Sequence, residues 1–316
     1  MVILLARTAD RLYWGARYIE RAEDTARVVR AYNDLVADHP SEELLHWQPL
    51  AALTGSDATI EVPEDDPSGE FTVLRFLICD RSNHSSIVRS VASARANLRT
   101  TREVMPREAW QAINQLSHYT EATATGAVER QMRDRFLVRV IEFSRRLDGV
   151  LESTMTRGNA YRMLRLGRLV ERADMTTRVL GVAAAGILQL EAADRDELVN
   201  DEVRWMSVLR SVSALQMYQR AVRGPIDGMA VVRFLTDYSA FPRSVRGCFD
   251  EIRSVLELLP NSGSVRVALE DAVSILDAAN PDASKGEGLD RSMEQVQLAI
   301  AAVADAVHRT YVGDVL

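Results

Sequence analysis

Two short stretches of this sequence place glutamate and arginine side chains at spacings that could bind an anion or transfer a proton. The first is RYIERAEDTAR, residues 17–27, and the second is RLVERADMTTR, residues 168–178. Guanidinium groups grip phosphate or carboxylate through parallel hydrogen bonds, and a carboxylate within reach can act as a general acid or base. The same stretches also contain every group needed to pair with one another.

Both stretches belong to a longer internal repeat. Residues 9–29 align without a gap with residues 160–180 at a constant offset of 151, and nine of the 21 aligned positions are identical. The identical pairs are Ala9/Ala160, Arg11/Arg162, Arg17/Arg168, Glu20/Glu171, Arg21/Arg172, Ala22/Ala173, Thr25/Thr176, Arg27/Arg178 and Val28/Val179. We therefore expect a single helical domain over residues 1–316, with pseudo-symmetric halves of approximately 1–155 and 156–316.

Helical geometry predicts that the motif charges flank the core. At about 100° per residue, Arg17, Glu20 and Arg21 lie on one arc, roughly 130° from the apolar stripe of the same helix. Arg17 and Arg21, like their copies in the second half, are like-charged neighbours four residues apart. Such pairs destabilise a helix by a few tenths of a kcal/mol unless an acid or an anion lies between them.

Two compatible interpretations of the paired motifs follow. In the first, the two helices cross near the symmetry axis and exchange ion pairs that fix the helix register. Glu20 then pairs with Arg172. Reciprocally, Glu171 pairs with Arg21. In the second, the four motif arginines and two glutamates line a cleft that binds an anionic small molecule or peptide.

Apolar periodicity predicts an all-α protein of about ten helices, because no window alternates in the manner of a strand. The predicted helices cover residues 10–36, 70–79, 84–103, 107–118, 127–154, 158–191, 200–222, 227–237, 242–259, 264–278 and 289–310, with a further short helix within 38–57. Residues 60–70 are rich in proline, glycine and acids, which predicts an exposed loop.

Composition excludes several classes of function. The formal net charge of −7 argues against a nucleic-acid partner, because phosphate backbones require a basic face. No apolar run is long enough to span a membrane, and we expect a cytoplasmic protein. No cofactor motif is present, and the two cysteines form no CxxC pair. Glu43-x-x-His46 lacks the second copy that a carboxylate-bridged di-metal site needs, so no metal site is predicted.

Three further residues complete the candidate binding set. Asn83 opens the segment NHSSIVRS, where free backbone N–H groups at a helix start, together with Arg95, could hold an anion. A simple capped helix start is the alternative for this segment. Arg243 lies in FPRSVR at another helix start and could join the same anion site, although Asp237 could instead pair with it.

The Glu-Arg helices carry a resemblance to the alpha-E family of bacterial proteins. Four segments resemble conserved blocks of that family, and the first matches its N-terminal signature. They are RTADRLYWGARYIERAEDTARVV (7–29), NHSSIVRSVASARANLRTTREVM (83–105), RMLRLGRLVERADMTTRVL (162–180) and VVRFLTDYSAFPRSVRGCFDEI (231–252). Ala96 stands where the family pattern has an acid. The resemblance implies a wholly helical fold.

The resemblance also implies a functional setting. Genes of the family tend to lie beside, or be fused to, genes for circularly permuted ATP-grasp ligases and transglutaminase-like cysteine peptidases. We expect an auxiliary protein that binds the ligase, its acyl-phosphate intermediate or its peptide product. The alternatives are an enzyme with Glu20 or Glu171 as the acid–base group, and a structural scaffold. A carboxylate between guanidiniums has a lowered pKa, which suits electrostatic positioning better than proton transfer near neutral pH.

Overall fold

The computed structural model describes residues 4–38, 46–54, 60–192, 201–279 and 287–313. Within these ranges the chain forms twelve α-helices and no strand, which confirms the predicted all-α class. The helices are α1 (Ala6–Asp38), α2 (Glu70–Ile78), α3 (Ile87–Arg99), α4 (Arg107–Thr123), α5 (Arg130–Thr154), α6 (Asn159–Ala192), α7 (Asp201–Ser211), α8 (Leu215–Ala221), α9 (Gly228–Asp237), α10 (Val245–Glu257), α11 (Gly263–Ala278) and α12 (Glu287–Tyr311). Short 3-10 helices cover Gln48–Thr54, Arg102–Val104 and Gly126–Val128.

The two motif helices, α1 and α6, pack against each other and organise the rest of the molecule. α1 also contacts α3, α5 and α7, while α6 also contacts α10 and α12. Gly167 allows the close approach of the two backbones, since a Cβ at this position would lie 2.2 Å from the carbonyl oxygen of Tyr13. Any other residue would force α1 and α6 apart. Buried apolar side chains from both halves form one continuous core around this contact.

The helix order repeats across the two halves well beyond the motif helices. α2 begins at Glu70 and α9 begins 158 positions later, at Gly228. The same spacing separates Ser86 and Ser244, which are the N-caps of α3 and α10. Each cap hydroxyl accepts from the N–H three residues later and donates to the carbonyl six residues earlier. α3 is therefore the structural counterpart of α10, down to its capping bonds.

The last two helices of each half also correspond, at an offset of 156. α4 and α11 begin 156 positions apart. The same offset relates Asp134 of α5 to Asp290 of α12. Arg30 of α1 donates to Asp134 at 2.7 Å. The α6 counterpart of Arg30 is Gly181, whose added Cβ would lie 3.8 Å from Oδ1 of Asp290. Asp134 and Asp290 therefore lie at equivalent positions, beside α1 and α6 respectively.

The predicted single helix over residues 200–222 is wrong, because the chain divides it into α7 and α8. Ser213 lies at the break with a φ of 54°, in the left-handed region that interrupts a helix. Arg27 of α1 donates to the Ser213 hydroxyl, which holds the break against the first half of the chain. This contact spans 186 positions, so no local pattern in the segment indicates it.

Two other predicted helices are shorter than expected. The predicted helix 84–103 forms only over Ile87–Arg99. The Asn83 side chain accepts from Ser85 N–H in a turn, and the Ser86 hydroxyl caps the helix, so the helix begins after them. Residues 39–45 and 55–57 of the predicted short helix lie outside the described residues, and the described part includes the 3-10 helix Gln48–Thr54. The region 60–69 is irregular, which confirms the predicted loop up to the start of α2.

Candidate functional site

Glu171 of α6 lies between the two motif arginines of α1. Its side chain is 0% exposed. Arg17 Nε donates to Oε2 at 2.7 Å, and Arg21 donates to both carboxylate oxygens, with 3.1 Å between its Nη2 and Oε2. The predicted pairing of Glu171 with Arg21 is confirmed. The carboxylate also lies between like-charged neighbours, which is the condition under which their repulsion is relieved.

Glu20 of α1 occupies the reciprocal position among arginines of the second half. Its side chain is also 0% exposed. Arg172 Nε donates to Oε1 at 2.7 Å and Arg168 Nε donates to Oε2 at 2.8 Å. Arg243, just before α10, places Nη2 3.1 Å from Oε1. The predicted pairing of Glu20 with Arg172 is confirmed, and Arg243 joins the same network.

The expectation that the motif charges flank the core is wrong. Both glutamates are sealed between α1 and α6, and the guanidiniums around them are nearly as buried. The expectation failed because it placed the charges relative to a single apolar stripe. α1 instead has helices against several of its faces, so the charged arc is itself an internal face. Ions buried in this way must be paired and hydrogen-bonded, as these are.

The buried glutamates remain ionised. Burial pushes the pKa of Glu171 upward, but Arg21 and Arg17 outweigh it and lower the pKa to about 2. Burial acts in the same way on Glu20, where Arg172, Arg243 and Arg168 hold the pKa well below its ordinary range. A catalytic acid or base works best with a pKa near the operating pH. The arrangement therefore suits an internal ionic clamp between the halves better than proton transfer.

Two additional acids of α1, Glu23 and Asp24, extend the Glu20 side of the network, and sequence reasoning missed them. Arg243 Nη1 donates to Oδ1 of Asp24 at 2.5 Å, and its Nη2 lies 3.5 Å from Oε1 of Glu23. Burial raises the pKa of Asp24 to about 7; Arg243 opposes this rise, while the carboxylates of Glu20 and Glu23 reinforce it. Asp24 is thus the acid in this network whose protonation changes near neutral pH.

The Arg243–Asp24 pair has no charged counterpart in the other half. At the offset of 151, Asp24 aligns with Met175. At the offset of the helix caps, Arg243 aligns with Ser85. The repeat alignment contained this signal, since Asp24 is an acid that its copy lacks. The suggested partner Asp237 is wrong, because the preferred partner of Arg243 lies on the other half of the chain, on α1.

The structure does not bring Asn83 or Arg95 to the Glu-Arg network. The Asn83 amide donates to the carbonyl of Phe76 at 3.0 Å, and its side-chain oxygen accepts from Ser85 N–H at 2.9 Å. These bonds shape the turn that precedes the Ser86 cap, as in the capped-start alternative. Arg95 Nε donates to Asn114 of α4 at 2.7 Å, so its guanidinium is fixed between α3 and α4.

A cleft of about 480 Å³ opens beside the network, between α1, α5 and the α7–α8 break. Its lining includes Arg27, Arg30, Arg145 and Arg210. Arg27 belongs both to the cleft and to the network, because it donates to Glu23 of the buried cluster. Sequence reasoning missed this cleft, since its arginines come from three helices that are distant in the chain.

Other kinds of site receive no support from the described part of the chain. Glu43 of the Glu43-x-x-His46 pattern lies outside the described residues. Among the residues that the structure describes, no group of three or more histidine, cysteine, aspartate or glutamate side chains is arranged to hold a metal ion. None of the described helices has both the length and the apolar character needed to cross a bilayer.

Comparison with known proteins places this helical arrangement in a described family. The Alpha-E family model, described as a predicted alpha-helical domain with a conserved ER motif, matches residues 4–312, nearly the whole chain. The Glu20-Arg21 and Glu171-Arg172 dipeptides of the buried network are Glu-Arg pairs of this kind. No curated protein and no solved structure matches the chain.

Proposed function

The chain belongs to the Alpha-E family, and we propose that it acts as a non-catalytic helical subunit of an ATP-grasp-linked system that makes or modifies peptide or amide bonds. In this role it binds the ATP-grasp ligase, or an anionic intermediate or peptide of that ligase, in the bacterial cytoplasm. A transglutaminase-like protein is a further partner in this proposal. The partners follow from the resemblance of the four motif segments.

The burial of the two motif glutamates carries the non-catalytic part of the proposal. Glu20 and Glu171 are each 0% exposed and each held by arginines of the opposite half. Reciprocal buried ion pairs favour one helix register over others, because a slipped register leaves charges unpaired in the core. This supports a rigid frame whose outer surfaces bind other molecules.

The enzyme alternative, with Glu20 or Glu171 as the acid–base group, requires a carboxylate that a substrate can reach. It also requires a pKa near the working pH, whereas the pKa of Glu171 is lowered to about 2. Neither glutamate meets these requirements, because both are buried and both have a lowered pKa, and this favours the binding role. The scaffold alternative would leave the arginine-lined cleft unused, and the cleft therefore favours ligand binding over a scaffold alone.

The proposal is tested with a circularly permuted ATP-grasp ligase from the same organism, which is the partner that the family resemblance implies. We expect the two purified proteins to form a complex in analytical size-exclusion chromatography. We also expect this chain to increase ATP-dependent amide formation by the ligase while releasing no product without the ligase. An unrelated ATP-grasp ligase is the matched control. Amide formation by this chain alone would establish the enzyme alternative, and the absence of both complex and rate effect would refute the proposal.

A further inference from the structure

The cleft between α1, α5 and the α7–α8 break combines cationic and apolar surfaces. Arginine side chains approach it from three sides, with Arg27 and Arg30 on α1, Arg145 on α5 and Arg210 on α7. Between them the wall is apolar, with Val138, Ile141 and Leu215 among its lining residues. A site of this size and composition suits a ligand that has an anionic head and an aliphatic body.

The lining of the cleft has more arginines than acids, although Arg30 already pairs at 2.7 Å with Asp134, which does not line the cleft. Asp34 and Glu142 also line it, against four arginines. Glu142 accepts a hydrogen bond from Arg139, which lies outside the lining. Arg145 Nε lies 4.0 Å from Oε1 of Glu23, and this oxygen already accepts from Arg27. The cleft therefore offers guanidinium donors to an added anion.

Arg27 and Arg145 differ in how firmly they are held beside the cleft. Arg27 is only 6% exposed and is fixed by Glu23 and by the Ser213 hydroxyl, so it is held in place before a ligand arrives. The Arg145 side chain is 59% exposed and can turn toward a ligand. Burial and the neighbouring Arg27 lower the pKa of Arg145, which is the direction expected where cations crowd together. An anion between them would relieve this repulsion.

The repeat provides an internal comparison for these arginines. Arg30 corresponds to Gly181 at the offset of 151, and Arg145 corresponds to Ala301 at the α5–α12 offset of 156. The same arrangement of helices therefore forms in the other half with no side chain, or a methyl group, at these positions. The helix contact itself therefore forms without arginine at these positions. Arg30 also pairs with Asp134, but an exposed pair of this kind contributes little, so ligand binding is a further physical reason for the charge.

We propose that this cleft binds the anionic head of a small organic molecule or peptide, with phosphate or carboxylate held by Arg27, Arg30 and Arg145 and the apolar body held against α5 and α8. The inference rests on the proposed binding function and names the site and chemistry of the ligand. The clamp glutamates, Glu20 and Glu171, take no part in it.

The test is isothermal titration of the full chain with three probes. They are inorganic phosphate, N-acetyl-Leu-Glu amide and its neutral analogue N-acetyl-Leu-Gln amide. We expect binding of phosphate or the Glu peptide but not of the Gln peptide. The tighter of the two anions identifies the head group. The double variant Arg30→Ala/Arg145→Ala should weaken anion binding by at least about tenfold, since bonds to charged groups contribute at this level.

The matched control is Arg135→Ala/Arg146→Ala, which removes two exposed arginines of α5 that do not line the cleft. It has the same net charge as the cleft variant and should bind anions within about twofold of wild type, as exposed charges contribute little. Thermal melts show whether each variant folds. If Arg30→Ala/Arg145→Ala does not fold, the single variant Arg145→Gln replaces it, with an expected loss of at least about threefold.

Several outcomes would overturn the inference. Equal weakening in both double variants would indicate general electrostatic attraction, and unchanged affinity in the cleft variant would place the anion elsewhere. Failure of wild type to bind either anion at millimolar concentration would also refute it. If the ligase complex forms while no anion binds, the cleft inference fails and the proposed function stands. If anions bind at the cleft but no ligase complex or rate effect occurs, the cleft inference stands and the proposed function fails.

Discussion

The two buried glutamates occupy equivalent positions in the repeat, yet they are neutralised differently. Glu171 is held by two arginines, Arg17 and Arg21. Glu20 is held by the two equivalent arginines and by Arg243, which in turn contacts two further acids. Both halves retain the two motif arginines that neutralise each buried carboxylate. The additional charges occur as a compensated set, with cation and acid gained on the same side.

The first arginine of each motif is also supported differently. The Arg17 guanidinium lies 4.9 Å from the ring centroid of Trp14, and its Nη1 lies 3.5 Å from the hydroxyl of Tyr13. Its copy Arg168 instead pairs with Asp148 of α5. An aromatic face and a carboxylate are alternative ways of offsetting the loss of water around a buried cation. The comparison shows that the repeat preserves the clamp while its surroundings diverge.

The largest expected effect is a loss of stability that differs between variants of the two glutamates. We expect Glu171→Gln to lower the free energy of unfolding by about 3–5 kcal/mol, because it leaves Arg17 and Arg21 buried without the carboxylate they share. Glu20→Gln should be milder, at about 1–3 kcal/mol, because Arg168 retains Asp148 and Arg243 retains Glu23 and Asp24. Urea denaturation of both variants measures the difference.

The control for this pair is Glu270→Gln, which removes a carboxylate that is 57% exposed and pairs with Arg253. Surface pairs of this kind contribute about 0–1 kcal/mol, so the variant should unfold nearly as wild type does. Equal losses for Glu20→Gln and Glu171→Gln would show that the additional acids do not compensate, and the asymmetry described above would have no energetic meaning.

An intermediate loss of stability is expected from variants that give the Glu20 side of the network the residues of the Glu171 side. Arg243→Ser and Asp24→Met each introduce the residue found at the corresponding position of the other half. Each single variant should lower the free energy of unfolding by about 2–4 kcal/mol, because it strips a buried charge of its partner. The double variant should lose less than the sum, with a coupling of about 1–3 kcal/mol. Denaturation of all four proteins gives this value, and strict additivity would contradict a compensated pair.

The last expected effect is a pH dependence, which has one sign on the Glu20 side, through Asp24, and the opposite sign on the Glu171 side. Burial raises the pKa of Asp24 from 3.8 to about 7. Between these values the folded state binds more protons than the unfolded state, so the free energy of unfolding falls as the pH rises. The slope is at most about 1.4 kcal/mol per pH unit. Asp24→Asn should abolish this decline.

The Glu171 side has the opposite sign and a different window. Its pKa is lowered from 4.5 to about 2, so its contribution is present above the higher value and is lost as the pH falls toward the lower one. Denaturation series of wild type and Asp24→Asn between pH about 4 and about 7 therefore isolate Asp24. Parallel curves for the two proteins would show that Asp24 is ionised throughout.

Local patterns predicted most of the helices, and the repeat predicted the motif pairing as one of two interpretations. Helix periodicity depends on residues three and four apart, so each half could be divided into helices from its own sequence. The reciprocal pairing of Glu20 and Glu171 followed from the strict repeat, because two equivalent helices that cross must exchange equivalent contacts. The break at Ser213 was missed because its anchor is Arg27, 186 positions away.

Similarity between the halves was visible only where identical residues cluster. Residues 9–29 and 160–180 align at one offset. At an offset of 158, α2 and α9 share the pattern V-x-R-F-L, at 73–77 and 231–235, whereas the helices that correspond at 156 have few identities. Capping bonds and the matched positions of Asp134 and Asp290 revealed the remainder. Insertions shift an alignment, but they leave equivalent packing positions intact.

The sequence by itself determined the all-helical class and the repeated Glu-Arg helices, and it predicted their exchange of partners as one of two interpretations, because these depend on short spacings and on the identity of two copies. The tertiary structure alone decided that the charges are internal, that Asp24 pairs with Arg243 across 219 positions, and that Arg27, Arg30 and Arg145 meet at one cleft. Burial and long-range neighbours depend on every helix that packs against α1. A single helix pattern contains no information about what covers its other faces.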